Sequence, residues 1–87
     1  MAVNYRVELL PRARREYARL PDDDRARIHA AIQSLASQPR PPGVKKLVGS
    51  PLWRLRVGRY RIIYSVSDRE RLIVLTQISR RNEKTYD

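Results

Sequence analysis

Cysteine is absent from these 87 residues, histidine occurs once, and no long apolar run is present. Each absence removes a class of protein. Without cysteine there is neither a disulfide framework nor a thiolate zinc site, and His29 alone cannot make a multi-histidine metal cluster, so no metal or other cofactor is expected. The opening residues, Met1-Ala2-Val3-Asn4-Tyr5-Arg6, hold no apolar stretch of signal-peptide length. Nothing approaches the roughly 18 consecutive apolar residues that cross a bilayer. A cytoplasmic chain with no membrane association is the expectation. The length allows one domain, residues 1–87, with a single core between two layers.

Acidic residues are scarce as well. Nineteen Lys and Arg against nine Asp and Glu leave a net charge of +10 and an isoelectric point of about 11.1. Such a field attracts polyanions, and nucleic acid, anionic lipid or an acidic protein would each satisfy it. Its distribution is more informative. Between Arg40 and Ser67 there are seven basic residues (Arg40, Lys45, Lys46, Arg54, Arg56, Arg59, Arg61) and no acidic one.

What is present falls into recognisable segments. Residues 3–9 alternate apolar and polar side chains, as a half-buried strand does. Pro11 suits a first helical position, where its missing N–H costs nothing, and Ala13, Tyr17 and Leu20 then share one face of a helix over about 11–20. Pro21 ends that run. Asp22-Asp23-Asp24 places negative charge at the start of a second helix, about 22–37, with Ile28, Ile32 and Leu35 as its buried stripe. Six prolines and glycines in 38–51 argue against regular structure there. Three strand-like runs follow, 52–57, 60–66 and 72–79, joined by Gly58-Arg59 and by a turn at 67–70. The fold class expected is α+β, in the order β-α-α-β-β-β. It has an antiparallel twisted sheet and a two-helix hairpin on one face.

A two-residue turn at Gly58-Arg59 would pair Val57 with Tyr60, Arg56 with Arg61 and Arg54 with Ile63. Arg54, Arg56 and Arg61 then share one face. Trp53, Leu55, Val57, Tyr60, Ile62, Tyr64 and Val66, extended by Ile73 and Leu75, form the apolar face that the helices should cover. The same register puts Ile63, Val74, Thr76, Ile78 and Arg80 with the arginines. His29 reads as a helix-surface residue and Trp53 as core. Opposed like charges cost about 0.2–1 kcal/mol, so Arg56 facing Arg61 is a local conflict of the kind that function can require. Solubilising arginines whose stems cover apolar neighbours are the plain alternative. Taken together, though, three convergent guanidiniums suit bidentate contact with phosphate.

The run Lys46-Leu47-Val48-Gly49-Ser50-Pro51-Leu52-Trp53-Arg54-Leu55-Arg56-Val57-Gly58-Arg59-Tyr60-Arg61-Ile62-Ile63-Tyr64 resembles the RelE/ParE toxin superfamily. There a K-L-x-G loop leads into R-L-R-V-G-x-Y-R-[IV]-[IV]-Y. The ending Ile78-Ser79-Arg80-Arg81-Asn82-Glu83-Lys84-Thr85-Tyr86 resembles the terminal strand and arginine-then-tyrosine motif of that superfamily. The likeness, closer to the RelE branch, implies a microbial-ribonuclease-like fold and the toxin of a type II toxin–antitoxin pair. It further implies ribosome-dependent mRNA cleavage, in which a 2′-hydroxyl attacks the adjacent phosphate without a metal and translation stops.

Carried over by position, the implied catalytic set is Arg54, Arg56, Arg61, Tyr86 and a late arginine. Spacing to the tyrosine favours Arg81 for that last place, whereas strand parity favours Arg80. Lys45, Lys46 and Arg59 are expected to bind RNA. Where the best-studied branch has lysines on the second strand, this chain has Arg54 and Arg56, which keep the charge and give up the tunable proton. Tyr86 is therefore the better general base, provided that cations lower its pKa from about 10. The implied partners are an acidic RelB-like antitoxin, the ribosome and mRNA, with the toxin monomeric or in a hetero-oligomer. Two other readings are a ParE-like gyrase inhibitor without nuclease activity, and an inactive toxin that only binds its antitoxin.

Overall fold

Proline punctuation produces the helix pair. In the computed structural model, which describes residues 4–81, Pro11 stands in the first turn of α1 (Pro11–Ala18) and Pro21 is the N-cap of α2 (Asp22–Ser37). Asp22, Asp23 and Asp24 occupy the first turn of α2, where the helix dipole favours negative charge. Arg25 pairs with Asp22 and donates from Nη1 to the Leu20 carbonyl at 2.9 Å, which ties the second helix to the end of the first. Ala13, Leu20, Ile28 and Leu35 are the buried residues of this pair.

The sheet has five strands: β1 (Arg6–Leu9), β2 (Lys45–Lys46), β3 (Trp53–Val57), β4 (Tyr60–Ser67) and β5 (Leu72–Arg80). Their order is β1-β5-β4-β3-β2. The α+β class and the helix pair on one face stand as expected, with two refinements. β1 joins β5 in parallel, Arg6 against Leu72 through Leu9 against Leu75, so the sheet is mixed. Alternation marks a strand but carries no direction, and the free edge of β5 is where this strand docks. Lys45 and Lys46 also pair with Arg54 and Trp53, which makes a short strand inside the proline-rich segment read as irregular. Val3, placed in the first strand by its pattern, lies outside the described residues.

Both helices cover the face bearing Ile62, Tyr64, Ile73 and Leu75, all fully buried. Ile78 belongs to this core too, at 3% exposure, which corrects its assignment to the arginine side. The cause is a β-bulge. Tyr64 pairs with Leu75 but Ile63 pairs with Gln77, so Thr76 is an extra residue and the alternation of β5 reverses beyond it. A regular strand would have buried Gln77 and exposed Ile78. Burying an isoleucine side chain is worth about 1.5–3 kcal/mol, and an unpartnered buried amide costs free energy, so the bulge is the better solution. The sequence signal was there: Ile73 to Leu75 is a step of two, but Leu75 to Ile78 is a step of three.

Candidate nucleic-acid interface

The turn at Gly58-Arg59 sets the site. Gly58 has φ +58°, a left-handed conformation that favours glycine at the first central position of a tight hairpin turn. Val57 pairs with Tyr60, Arg56 with Arg61, Leu55 with Ile62 and Arg54 with Ile63, the register read from the sequence. Arg54, Arg56 and Arg61 therefore project from the face turned away from the helices. Directly opposed side chains on antiparallel strands have Cβ atoms about 4.5–5.5 Å apart, so the Arg56 and Arg61 stems are close neighbours.

The three differ in setting. Arg56 is exposed and Arg61 half-buried, while Arg54 is only 2% exposed. Arg54 lies between Lys45 on β2 and Ile63 on β4, a position flanked by strands on both sides. Lys45 thus joins the arginine face. Lys46 does not: it opposes Trp53 on the helix side, with Nζ 5.9 Å from the indole centroid. Arg40 lies over the same ring at 5.4 Å. Trp53 is half-buried and packs against the core, as read. Arg59 is exposed at the turn.

The bulge places the two late arginines on different faces. Arg80 pairs with Tyr60 and so falls on the helix side, contrary to simple strand parity. Ser79 opposes Arg61, and Arg81, two residues on, returns to the arginine face. The Arg81 amide donates to the Arg59 carbonyl at 2.6 Å, and its Nη1 reaches the Gly58 carbonyl at 3.5 Å. The face that carries Arg54, Arg56 and Arg61 is thus the one on which Arg81, the candidate favoured by spacing to the tyrosine, lies, while the strand parity that favoured Arg80 does not hold past the bulge. Tyr86 itself lies outside the described residues.

The tyrosines within the described region offer no substitute base on this face. Tyr60 and Tyr64 point to the helix side. Burial, then a hydrogen bond to Asp24, raises the pKa of Tyr60, whose hydroxyl donates to Asp24 at 3.1 Å. Burial pushes Tyr64 to about 12, and its hydroxyl donates to the Pro39 carbonyl at 2.7 Å. Tyr5 donates to Asp68 at 2.6 Å, and that bond raises its pKa. Arg40 grips both oxygens of Asp68, at 3.2 and 3.0 Å, and holds its carboxyl below the usual range. These bonds pin the segment leading to Lys45. Among the described residues no group of acidic or histidine side chains is arranged to hold a metal, and no helix is long and apolar enough to cross a membrane.

The family model for the ParE toxin of type II toxin–antitoxin systems, parDE, matches residues 7–84. The chain belongs to this family. Its relatives carry the RelE name. A Methanocaldococcus jannaschii protein named RelE1 is 30% identical over 83 residues, covering 91% of this chain and 92% of that one. The toxin fold matches the crystal structure of the RelE–RelB complex from Pyrococcus horikoshii OT3 with a TM-score of 0.82 and 29% identity, over 92% of this chain and 98% of that one. The RelBE2 toxin–antitoxin complex of Mycobacterium tuberculosis gives 0.81 and 26%, over 91% and 100%. The toxin is thus a RelE/ParE superfamily member on the RelE side, as the motifs implied.

Proposed function

We propose that this toxin is a metal-independent endoribonuclease that cuts mRNA on the ribosome and is silenced by an acidic, RelB-like antitoxin. The observation that carries the reading is the gathering of Arg54, Arg56 and Arg61 on one helix-free face of the sheet, with Arg81 two residues beyond Ser79, the partner of Arg61. In the reaction, the 2′-oxygen of one nucleotide bonds to the adjacent phosphorus as the bond to the 5′-oxygen breaks. A 2′,3′-cyclic phosphate and a 5′-hydroxyl result. Negative charge builds on the phosphorane, and fixed guanidiniums stabilise it without a metal. Arg54, buried between β2 and β4, supplies a fixed background charge in this scheme; Arg56 and Arg61 grip phosphate oxygens, and Arg81 meets the leaving oxygen. Arginine is a poor base at neutral pH, so Tyr86 as the phenolate takes the 2′ proton in this scheme, and water protonates the departing 5′-oxygen. Lys45 and Arg59 extend the cationic face toward flanking phosphates. The +10 charge supports an acidic antitoxin, and the RelE–RelB and RelBE2 complexes of the similar proteins support one that is RelB-like.

Inhibition of DNA gyrase is the second reading, because the family model that matches is named for ParE. Induced expression followed by primer extension on cellular mRNA separates the two. Codon-phased cuts that vanish with Arg61→Glu are expected. Intact mRNA with accumulating gyrase-linked DNA breaks would overturn the nuclease reading.

A further inference from the structure

β1 covers β5 only from Leu72 to Leu75, and the bulge follows at once. Beyond it no strand among the described residues lies along the outer edge of β5, yet Ile78 is buried and its amide must find an acceptor. Glu16 supplies one. From α1 its Oε1 accepts the Ile78 N–H at 2.8 Å, while Arg12 Nε meets its other oxygen at 3.3 Å. On the inner edge the Thr76 hydroxyl donates to the Ile63 carbonyl at 3.2 Å, across the bulge. The strand is thus held from both sides one turn of alternation before Arg81. Glu16 is also the single acidic residue of α1, whose other charged side chains are Arg12, Arg14 and Arg15.

We propose that Glu16 is a positioning residue: the bulge sets the parity of β5, and the Glu16 carboxylate clamps the strand beyond it, so that Arg81 is held in place on the face of Arg56 and Arg61. The proposal rests on the reading of that face as the RNA site, and it assigns a catalytic consequence to a helix residue on the far side of the sheet. Ile78 burial fixes the parity, and Glu16 fixes the position. An amide acceptor on this edge tolerates exchange of the carboxylate for a carboxamide, but not its removal. A displacement of a charge by about 1 Å can cost on the order of 100-fold in rate, so even slack in this edge reaches the chemistry.

The test is a double-mutant cycle in ribosome-dependent mRNA cleavage, with amide hydrogen exchange on the same purified toxins. Glu16→Ala is expected to lower kcat about tenfold with KM little changed, Glu16→Gln to restore most of the rate, and Arg81→Ala to add little once Glu16 is gone. Arg80→Ala should cost the same with or without Glu16. Exchange at the Ile78 and Arg81 amides should accelerate by about tenfold or more in Glu16→Ala, with Ile73 unchanged. A folded Glu16→Ala toxin with wild-type protection at Arg81, or one whose loss multiplies fully with that of Arg81→Ala, would overturn the clamp. If Arg56, Arg61 and Arg81 variants all cut at the wild-type rate, the site reading fails instead, and the exchange data alone decide for or against the clamp.

Discussion

The two faces of this sheet come from alternate residues of the same strands, yet they are organised by different rules. On the helix side, Ile62, Tyr64, Ile73, Leu75 and Ile78 interlock with Ala13, Ile28 and Leu35, and the polar ends of Tyr60 and Tyr64 each meet an acceptor at 3.1 and 2.7 Å. On the other side, Arg56 is set directly across from Arg61, and Arg54 is buried next to Ile63. Burial and pairing account for the first arrangement. The second sets like charges across from one another, a local conflict of the kind found where function requires it. The difference teaches where to look for each property: folding on the helix side, anion chemistry on the arginine side.

The sharpest way to break that division is to truncate one residue from each face. Leu75→Ala opens a cavity in the helix-side core, and a loss of about 2–5 kcal/mol is expected in urea unfolding. The rate of cleavage per folded molecule should barely change. Arg61→Ala should behave in the opposite way: unfolding free energy within about 1 kcal/mol of wild type, and cleavage down by on the order of 100-fold, about 2.7 kcal/mol of transition-state stabilisation. A large stability loss in Arg61→Ala with unimpaired cleavage would mean that the arginines serve the fold, and the two faces would no longer be distinct in purpose.

How much of this division the residues announce depends on the element. The β3–β4 hairpin was legible because a glycine turn fixes register within two residues, and every pair from Val57–Tyr60 to Arg54–Ile63 follows from it. α2 was legible at both ends because Pro21 and the three aspartates mark its start and the breakers after Ser37 its stop. Past Leu75 the only mark on β5 is the three-residue step to Ile78, which a parity count passes over. Parity counts assume one residue per step, and the bulge at Thr76 violates that assumption at one point, which moves Ile78 into the core and turns Arg80 to the helix side. The burial of Arg54 and the parallel docking of β1 were hidden for a related reason. Both depend on which strand lies next door, and neighbours are set by tertiary pairing rather than by local pattern. Glu16 carried no signal at all, since an acceptor for an edge amide has no periodicity.

A smaller effect sharpens the helix side further. Tyr64 ties β4 to Pro39, and burial holds its phenol near pKa 12 when folded, against about 10 when exposed. The folded state therefore prefers the protonated phenol. Its contribution is fully present below pH 10 and is lost as pH rises from 10 to 12. At pH 7, Tyr64→Phe should cost about 0.5–1.5 kcal/mol, the net worth of one hydrogen bond. Above pH 10 the wild type should lose stability faster than the variant, so that urea midpoints measured between pH 7 and 11 converge. The raised values of Tyr5 and Tyr60 add a decline of the same sign to both proteins and cancel in the comparison. Parallel curves would mean that the Tyr64 hydroxyl reaches water. The helix-side face would then be less dry than its packing indicates, and the contrast with the arginine face correspondingly weaker.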